Sequence, residues 1–128
     1  MRLLIDTHAL AWWSEDNPAL SNSACQALGD ETNAVFISAV SIYEVGLKHR
    51  LGKWPEGGVL LRNLSALMAA QGFTALSVST EHAAVAAALP LDHRDPWDRL
   101  LAAQALVEDL TVVSIDAALD QFGVRRLW

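Results

Sequence analysis

The sequence is poor in the features that mark membrane, secreted and disulfide-built proteins. Cys25 is the only cysteine, which excludes an internal disulfide and a cysteine zinc site. The longest apolar run, 83–91, is far shorter than the roughly 20 residues that a transmembrane helix needs. The apolar stretch before Asp6 is also too short for a secretory signal. We therefore expect a cytoplasmic protein.

Positive charge is scarce as well. Nine lysines and arginines stand against fifteen acidic residues, and the formal net charge is −6. This balance argues against a polyanion binder held by bulk charge. It leaves room for a nucleic-acid enzyme with a local basic patch and a bound cation. With 52% hydrophobic residues in 128 positions, the composition excludes a mainly disordered chain and predicts one domain, 1–128.

Short β-like runs alternate with helical runs along the chain. The predicted strands are 2–5, 34–38, 74–78, 111–114 and 124–127. The predicted helices are 10–14, 22–29, 41–51, 59–71, 81–88, 96–108 and 117–122. Strands separated by helices need crossover connections, so we predict an α/β fold with a central, mainly parallel sheet. Functional residues in such sheets gather beyond the carboxyl ends of the strands.

Three acidic residues occupy positions where that rule directs attention. Asp6 follows the first predicted strand directly, and Asp116 lies two residues past the fourth. Burial at a strand end disfavours an ionised carboxyl unless it has a partner. Each aspartate has an ordinary alternative role as a helix cap. Glu44 lies in the helix after the second strand, where its alternative is an exposed pair with Lys48, worth about 0.3–0.5 kcal/mol.

A second group of acids is crowded into 92–98. Asp95 with Pro96 predicts a helix start, and Asp98 falls in the first turn, where the helix dipole favours an anion. One cap is enough, so Asp92 and Asp98 exceed what a helix start requires. The ordinary alternative for the whole cluster is still the start of that helix.

Several carboxylates at one sheet edge would either take up protons or hold a cation. Two unit charges about 4 Å apart repel by roughly 4 kcal/mol at an effective dielectric constant near 20. Oxygen ligands favour Mg²⁺ or Mn²⁺ over zinc. A cation of that kind can activate water for attack on a phosphodiester. The pattern therefore favours, as a hypothesis, metal-dependent phosphodiester chemistry.

Basic residues are concentrated in one part of the chain. Lys48, Arg50, Lys53 and Arg62 lie within fifteen residues of one another. This clustering predicts a face that contacts phosphates, and the alternative is a solvated helix face. His8, close to Asp6, is a further candidate to assist at the site, with a surface or capping role as its alternative.

Four segments, each carrying an acid, resemble in order the motifs of one family. They are LIDTHALAWW (4–13), SAVSIYEVGLK (38–48), HRDPWDRLLAAQA (93–105) and VVSID (112–116). Together they resemble PIN-domain ribonucleases and, within them, VapC-type toxins of type II toxin–antitoxin systems. The resemblance implies a PIN-like α/β/α sandwich and an endoribonuclease that depends on Mg²⁺ or Mn²⁺. It also implies a cognate antitoxin as partner, and a homodimer.

The resemblance assigns roles residue by residue. It implies that Asp6, Glu44, Asp98 and Asp116 form the catalytic, metal-binding site. Asp95 is either a further member or only the helix cap. For the mechanism we expect single-stranded or looped RNA as substrate. Polar neighbours predicted to orient the ligands are Ser41 and Ser114, and predicted phosphate contacts are Lys48, Arg50 and Arg99.

Two hypotheses from other functional classes compete with the endoribonuclease. A phosphatase or phosphotransferase would use Asp6 as its nucleophile, but haloacid-dehalogenase-like phosphatases need a second aspartate where this chain has His8. A non-catalytic binding module would use its acids only as helix caps. A receiver-like module would need an acidic neighbour beside Asp6 and a lysine beyond Lys53, and the sequence has neither.

Overall fold

The computed structural model describes residues 1–90 and 95–128. Its strands are β1 (Arg2–Ile5), β2 (Ala34–Ser38), β3 (Thr74–Leu76), β4 (Thr111–Val113) and β5 (Arg125–Leu127). Its α-helices are α1 (Thr7–Ser14), α2 (Asn22–Gly29), α3 (Ala39–Arg50), α4 (Gly57–Arg62), α5 (Leu64–Gln71), α6 (Thr80–Ala88) and α7 (Pro96–Glu108). A 3₁₀ helix spans Ala117–Phe122. Within the described ranges, no helix has both the length and the apolar character needed to cross a membrane.

The five strands form one sheet in the order β3-β2-β1-β4-β5, and every neighbouring pair is parallel. The first strand lies at the centre, where Ile5 pairs with Ile37 of β2 and with Val113 of β4. The predicted α/β class with a mainly parallel sheet is thus confirmed. All the carboxyl ends point the same way, so residues that follow β1, β2 and β4 meet at one edge.

Helices cover both faces of the sheet, as parallel sheets require. Successive residues of β1 point to opposite faces. Leu3 and Ile5 pack with α1, α2 and the half-buried side chains of α5, whereas Leu4 packs with Leu101 of α7 and Val112 of β4. The three leucine and isoleucine side chains of β1 are fully buried, which leaves Asp6 at the mouth of the core.

Several predicted element bounds need correction. Helix α1 begins at Thr7 rather than at residue 10, and α3 begins at Ala39 rather than at 41, because Asp6 and Ser38 cap these helices directly. The single helix predicted over 59–71 is two helices that meet at Asn63. The side-chain amide of that asparagine donates to the Val59 carbonyl at 3.0 Å, a local bond that competes with regular helix.

Candidate active site

Acids from four separate segments line one pocket of about 130 Å³ at the carboxyl edge of the sheet. They come from the end of β1, from α3, from the start of α7 and from the segment after β4. Positively charged or titratable neighbours in the same lining are Lys48 and His8. The acids are Asp6, Glu44, Asp95, Asp98 and Asp116.

Asp6 is fixed by its position between β1 and α1. Its backbone N–H donates to the Val113 carbonyl at 3.1 Å, which continues the pairing of β1 with β4. Its Oδ1 accepts from the Ala9 N–H at 2.7 Å and caps α1. The side chain is only 8% exposed. The same aspartate therefore ends the central strand, starts a helix and lines the pocket.

The environment of Asp6 disfavours its ionised form. Burial is the largest cause and raises the pKa of this carboxyl. Hydrogen bonds from Ser114 and from the Ala9 N–H lower the pKa in opposition, as does the nearby imidazole of His8, whereas the charge of Asp98 raises it. An opposite charge entering the pocket would therefore favour the carboxylate strongly.

Glu44 is buried on α3, and both its oxygens already have partners. The Thr7 hydroxyl donates to Oε1 at 2.7 Å, and the Ser41 Oγ lies 3.1 Å from that hydroxyl. Lys48 Nζ donates to Oε2 at 2.5 Å, so the i, i+4 pair considered from the sequence is present. It forms at the pocket wall, because Lys48 also lines the pocket. The pair is thus part of the site rather than an alternative to it.

The remaining acids begin the helices that adjoin the pocket. Asp95 accepts from the Trp97 N–H at 2.9 Å and from the Asp98 N–H at 3.4 Å, which caps α7. Asp116 caps the 3₁₀ helix through the Ala118 N–H at 2.9 Å. The capping interpretations made from the sequence are therefore confirmed by hydrogen bonds. Capping and a place in the pocket are compatible, since a carboxylate has two oxygens and a cap uses one.

Within the described residues, no three histidine, cysteine or acidic side chains are grouped closely enough to hold a metal ion. The carboxylates of Asp6 and Asp116 each have an oxygen engaged by a backbone N–H, and Glu44 is engaged by Thr7 and Lys48. Their donor set, all oxygen, is the kind that Mg²⁺ and Mn²⁺ prefer. The chemistry fits such an ion, but ligation needs changes in side-chain conformation.

The other predicted site residues are distributed differently. Ser41 and Ser114 are fully buried beside the acids, and Ser114 Oγ accepts from the Asp116 N–H at 3.0 Å. Arg50 is exposed at the end of α3, outside the pocket lining. Arg99 is also outside it: its guanidinium donates to the Ala86 carbonyl at 3.1 Å and to another carbonyl beyond the end of α6. The phosphate contact predicted for Arg99 therefore has no support from its placement.

Asp92, predicted as a member of the acidic cluster, lies outside the described residues, as do His93 and Arg94 of the third motif. The sequence reasoning also missed two polar residues that support the site. Thr7 holds Glu44, and its position beside Asp6 was the only available signal. Gln104 is fully buried on α7 and joins two strand ends.

That glutamine links the sheet edge to α7. Its Oε1 accepts from the Ser38 hydroxyl at 2.5 Å, and its Nε2 donates to the Ser77 carbonyl at 3.2 Å. Because Ser38 also caps α3 through the Val40 N–H, the contact ties the helix of Glu44 to the helix of Asp98.

Comparison with protein-family models identifies the family. The PIN domain model matches residues 3–124. No curated protein has a significantly similar sequence. The chain is similar to a chain of VapBC2 from Rickettsia felis bound to a promoter DNA fragment, with a TM-score of 0.72, 14% identity and coverage of 99% and 98% of the two chains.

Two further solved structures have the same fold. VapBC-1 from nontypeable Haemophilus influenzae gives a TM-score of 0.66 at 13% identity, covering 99% of this chain and 97% of that chain. FitAcB from Neisseria gonorrhoeae gives 0.60 at 21% identity, covering 98% and 96%. At these identities the likeness concerns the fold.

Proposed function

Because the chain belongs to the PIN domain family, we propose that it is a divalent-metal-dependent endoribonuclease and the toxin of a toxin–antitoxin pair. The observation that carries the proposal is the gathering of Asp6, Glu44, Asp98 and Asp116 at one pocket. Helix caps that follow parallel strands share this edge in any case, but Glu44 caps no helix and is nevertheless buried at the pocket. The substrate is RNA, and we place its cleavage in the cytoplasm.

Asp6, Glu44 and Asp98 would hold one Mg²⁺ or Mn²⁺, with Asp116 completing the set. When bound, such an ion supplies Lewis acidity toward a phosphate oxygen and lowers the pKa of a water molecule. Thr7 holds Glu44 in place through its hydroxyl. A carboxylate oxygen of the set accepts a proton from the attacking water. Asp95 serves the site as the cap that fixes the first turn of α7.

Polar and basic neighbours divide the remaining tasks. Ser114 donates to Asp6 and accepts from the Asp116 N–H, so it orients two acids at once. Ser41 supports Thr7 on the other side. Lys48 at the pocket wall and Arg50 at the end of α3 contact phosphates of the strand that enters the pocket. Single-stranded or looped RNA suits this open edge, because its bases can be splayed away from the backbone.

Partner binding is part of the proposal. The sequence resembles VapC-type toxins, and we infer a cognate antitoxin as the partner of this chain. A mainly apolar groove of about 260 Å³ lies between the end of α1 and helices α4 and α5. Val59 and Leu67 line it, with Glu15 and Glu56 at its polar positions. A partner helix with apolar and basic side chains would complement this groove.

A homodimer is the expected state of the toxin itself. The exposed ring of Tyr43 packs against Trp97 at a centroid distance of 5.3 Å and leaves an apolar surface beside the pocket. Sedimentation analysis of the purified chain tests this part. A monomer at all concentrations would remove it without affecting the nuclease proposal.

The nuclease proposal is tested by removing one carboxylate and, separately, the metal. Asp6→Asn keeps the acceptor oxygen that caps α1 but removes the charge, so we expect a folded protein without RNA cleavage. EDTA should abolish wild-type cleavage, and Mg²⁺ or Mn²⁺ should restore it. If Asp6→Asn cuts RNA at the wild-type rate and EDTA has no effect, the proposed chemistry is wrong.

One observation favours a second candidate, the non-catalytic module. Asp6, Asp95 and Asp116 all serve as helix caps, which is the role that such a module predicts. Titration of the purified chain with Mn²⁺ separates the two. Saturable binding that Asp98→Asn weakens favours the nuclease, whereas no binding favours the module.

A further inference from the structure

Lys48 occupies the position at Glu44 that a metal ion would need. Its ammonium group lies 2.5 Å from Oε2, and the other oxygen of Glu44 accepts from the Thr7 hydroxyl at 2.7 Å. Glu44 is only 7% exposed, so water has little access to replace either partner. Its carboxylate is therefore fully engaged by protein groups, and a metal ion reaches it only if one of them yields.

The lysine is the partner that can yield. Its side chain is 35% exposed, and its Nζ lies 6.0 Å from the centre of the Trp54 ring, within the range of a cation–π contact. The ammonium can thus leave Glu44 without leaving the pocket rim. Thr7 has no comparable freedom, because it is buried in the first turn of α1.

Charge explains why a cation is held there at all. The pocket lining has five carboxyl groups and one lysine. A monovalent ammonium reduces the repulsion among the acids, and a divalent ion would reduce it further while repelling the ammonium. The two cations therefore compete for the same carboxylate.

We propose that Lys48 is a built-in competitor of the metal, bound to Glu44 when the pocket is empty and displaced when a divalent ion binds. The inference rests on the proposed metal-dependent function. In this proposal Lys48 is a positioning residue that has two roles, one before and one after the metal binds. The ammonium first stabilises the metal-free acids, and after displacement it is available at the rim for an RNA phosphate.

The test is direct Mn²⁺ binding, measured in the absence of RNA by the electron paramagnetic resonance signal of free Mn²⁺. Lys48→Met keeps the length of the side chain and removes its charge. We expect it to tighten Mn²⁺ binding by about tenfold, in the range found when groups next to metal ligands are changed. Lys53→Met is the matched control, because this exposed lysine follows α3 but does not line the pocket. It should leave the affinity unchanged.

Thermal unfolding supplies a second readout that also reports on folding. Without metal, Lys48→Met should melt below the wild type, because Glu44 loses its counter-ion while remaining buried. Saturating Mn²⁺ should then raise the melting temperature of Lys48→Met more than that of the wild type, since tighter binding stabilises more. Lys53→Met should follow the wild type in both conditions.

The outcomes separate this inference from the proposed function. If Lys48→Met binds Mn²⁺ as the wild type does, or more weakly, the competitor role is wrong. The nuclease proposal survives that result provided that Asp6→Asn loses Mn²⁺ binding. If neither the wild type nor Lys48→Met binds Mn²⁺, both proposals fall. If Lys48→Met binds the ion and the wild type does not, Lys48 blocks the metal instead of yielding to it, which overturns the proposed displacement and counts against the nuclease.

Discussion

Asp6 and Asp30 both accept a hydrogen bond from a backbone N–H two or three residues further on, but they lie at opposite ends of the sheet. Asp6 Oδ1 accepts from the Ala9 N–H after β1, and Asp30 Oδ1 accepts from the Thr32 N–H before β2. Burial raises the pKa of the first carboxyl, whereas hydrogen bonds from the side chain and backbone of Thr32 lower the pKa of the second, which is fully exposed. Two aspartates that each accept a backbone hydrogen bond thus have pKa values shifted in opposite directions.

The amino and carboxyl ends of the sheet differ in their cavities and in their buried polar side chains as well. A cavity of about 380 Å³ lies at the amino end beside Asp30 and Gly72, and is almost three times the volume of the acidic pocket. Yet seven of the eight buried polar side chains in the described residues belong to the carboxyl end: Asp6, Thr7, Ser38, Ser41, Glu44, Gln104 and Ser114. Burying polar groups opposes folding unless they are satisfied. Buried polar side chains are thus concentrated at the end of the proposed site, whereas the larger cavity lies at the other end.

The largest expected effect is on catalysis. Asp6→Asn should lower the rate of RNA cleavage at least about a hundredfold, a loss typical of removing a group that acts on the reacting proton or its metal. Asp30→Asn keeps its turn and should cleave at the wild-type rate. Single-turnover cleavage of a labelled single-stranded RNA with saturating Mg²⁺ measures both. An equal loss of cleavage rate in the two variants would show that the carboxyl end of the sheet has no special part in catalysis.

The next effect concerns stability at the carboxyl end. Gln104→Leu should reduce the free energy of unfolding by about 1–3 kcal/mol, because the Ser38 hydroxyl and the Ser77 carbonyl lose their buried partner. Leu106→Gln, at an exposed position of the same helix, should change it by less than about 0.5 kcal/mol. Urea unfolding of both variants gives the comparison. A neutral Gln104→Leu would mean that the link between α3 and α7 contributes nothing to stability.

RNA affinity should respond only to basic residues near the acidic pocket. Lys48→Ala combined with Arg50→Ala should weaken binding about tenfold and lower the slope of log affinity against log salt by up to about 2. The measurement uses the Asp98→Asn background, in which the RNA stays intact. Arg125→Ala is the control, since Arg125 starts β5 at the amino end and pairs with the exposed Asp109. An unchanged slope in the double variant would show that Lys48 and Arg50 do not contact RNA phosphates.

The smallest effect is a difference in pH dependence between the two aspartates in metal-free protein. The folded pKa of Asp6 is raised above the usual 3.8, so its favourable contribution is complete below that value and is lost as pH rises through the folded pKa. The folded pKa of Asp30 is lowered, so its contribution is present above 3.8 and is lost as pH falls through the folded pKa.

Melting temperatures between about pH 3 and about pH 7 should therefore show opposite trends. Relative to the wild type, Asp6→Asn should gain stability as pH rises, and Asp30→Asn should lose it. The change for Asp30→Asn should be the smaller one, because solvent screens an exposed group. If the stabilities of the two variants changed in the same direction with pH, burial would not be the main influence on the pKa of Asp6.

Local signals predicted most of the fold. The bounds of β1, β2 and α7 follow from apolar runs and from Asp95 with Pro96, and the structure has them where the sequence places them. Helices α1 and α3 begin earlier than predicted because Asp6 and Ser38 act as strand end and helix cap at once. Predicting elements from residue patterns leaves a gap between a strand and the next helix, so it misses a residue that ends one element and caps the next.

The gathering of the acids at one pocket was predictable from the topology, because the carboxyl ends of the strands of a parallel sheet share an edge. The directions of long side chains were not. Arg99 is one residue from Asp98, yet its guanidinium contacts the carbonyl of Ala86, thirteen positions earlier, because α6 packs against α7. Nothing in the sequence around Gln104 indicated that its side chain would be buried between two strand ends. Both depend on tertiary packing.

The central place of β1 has a consequence for the order in which the molecule is made. Its neighbour β4 and the capping residue Asp116 follow Asp6 by more than a hundred positions, so they leave the ribosome long after it. Pairing so distant in the chain cannot form until both strands are available. A nascent chain therefore carries separated acids without a pocket. The proposed nuclease is thus without its full set of acids until β4 and Asp116 have emerged.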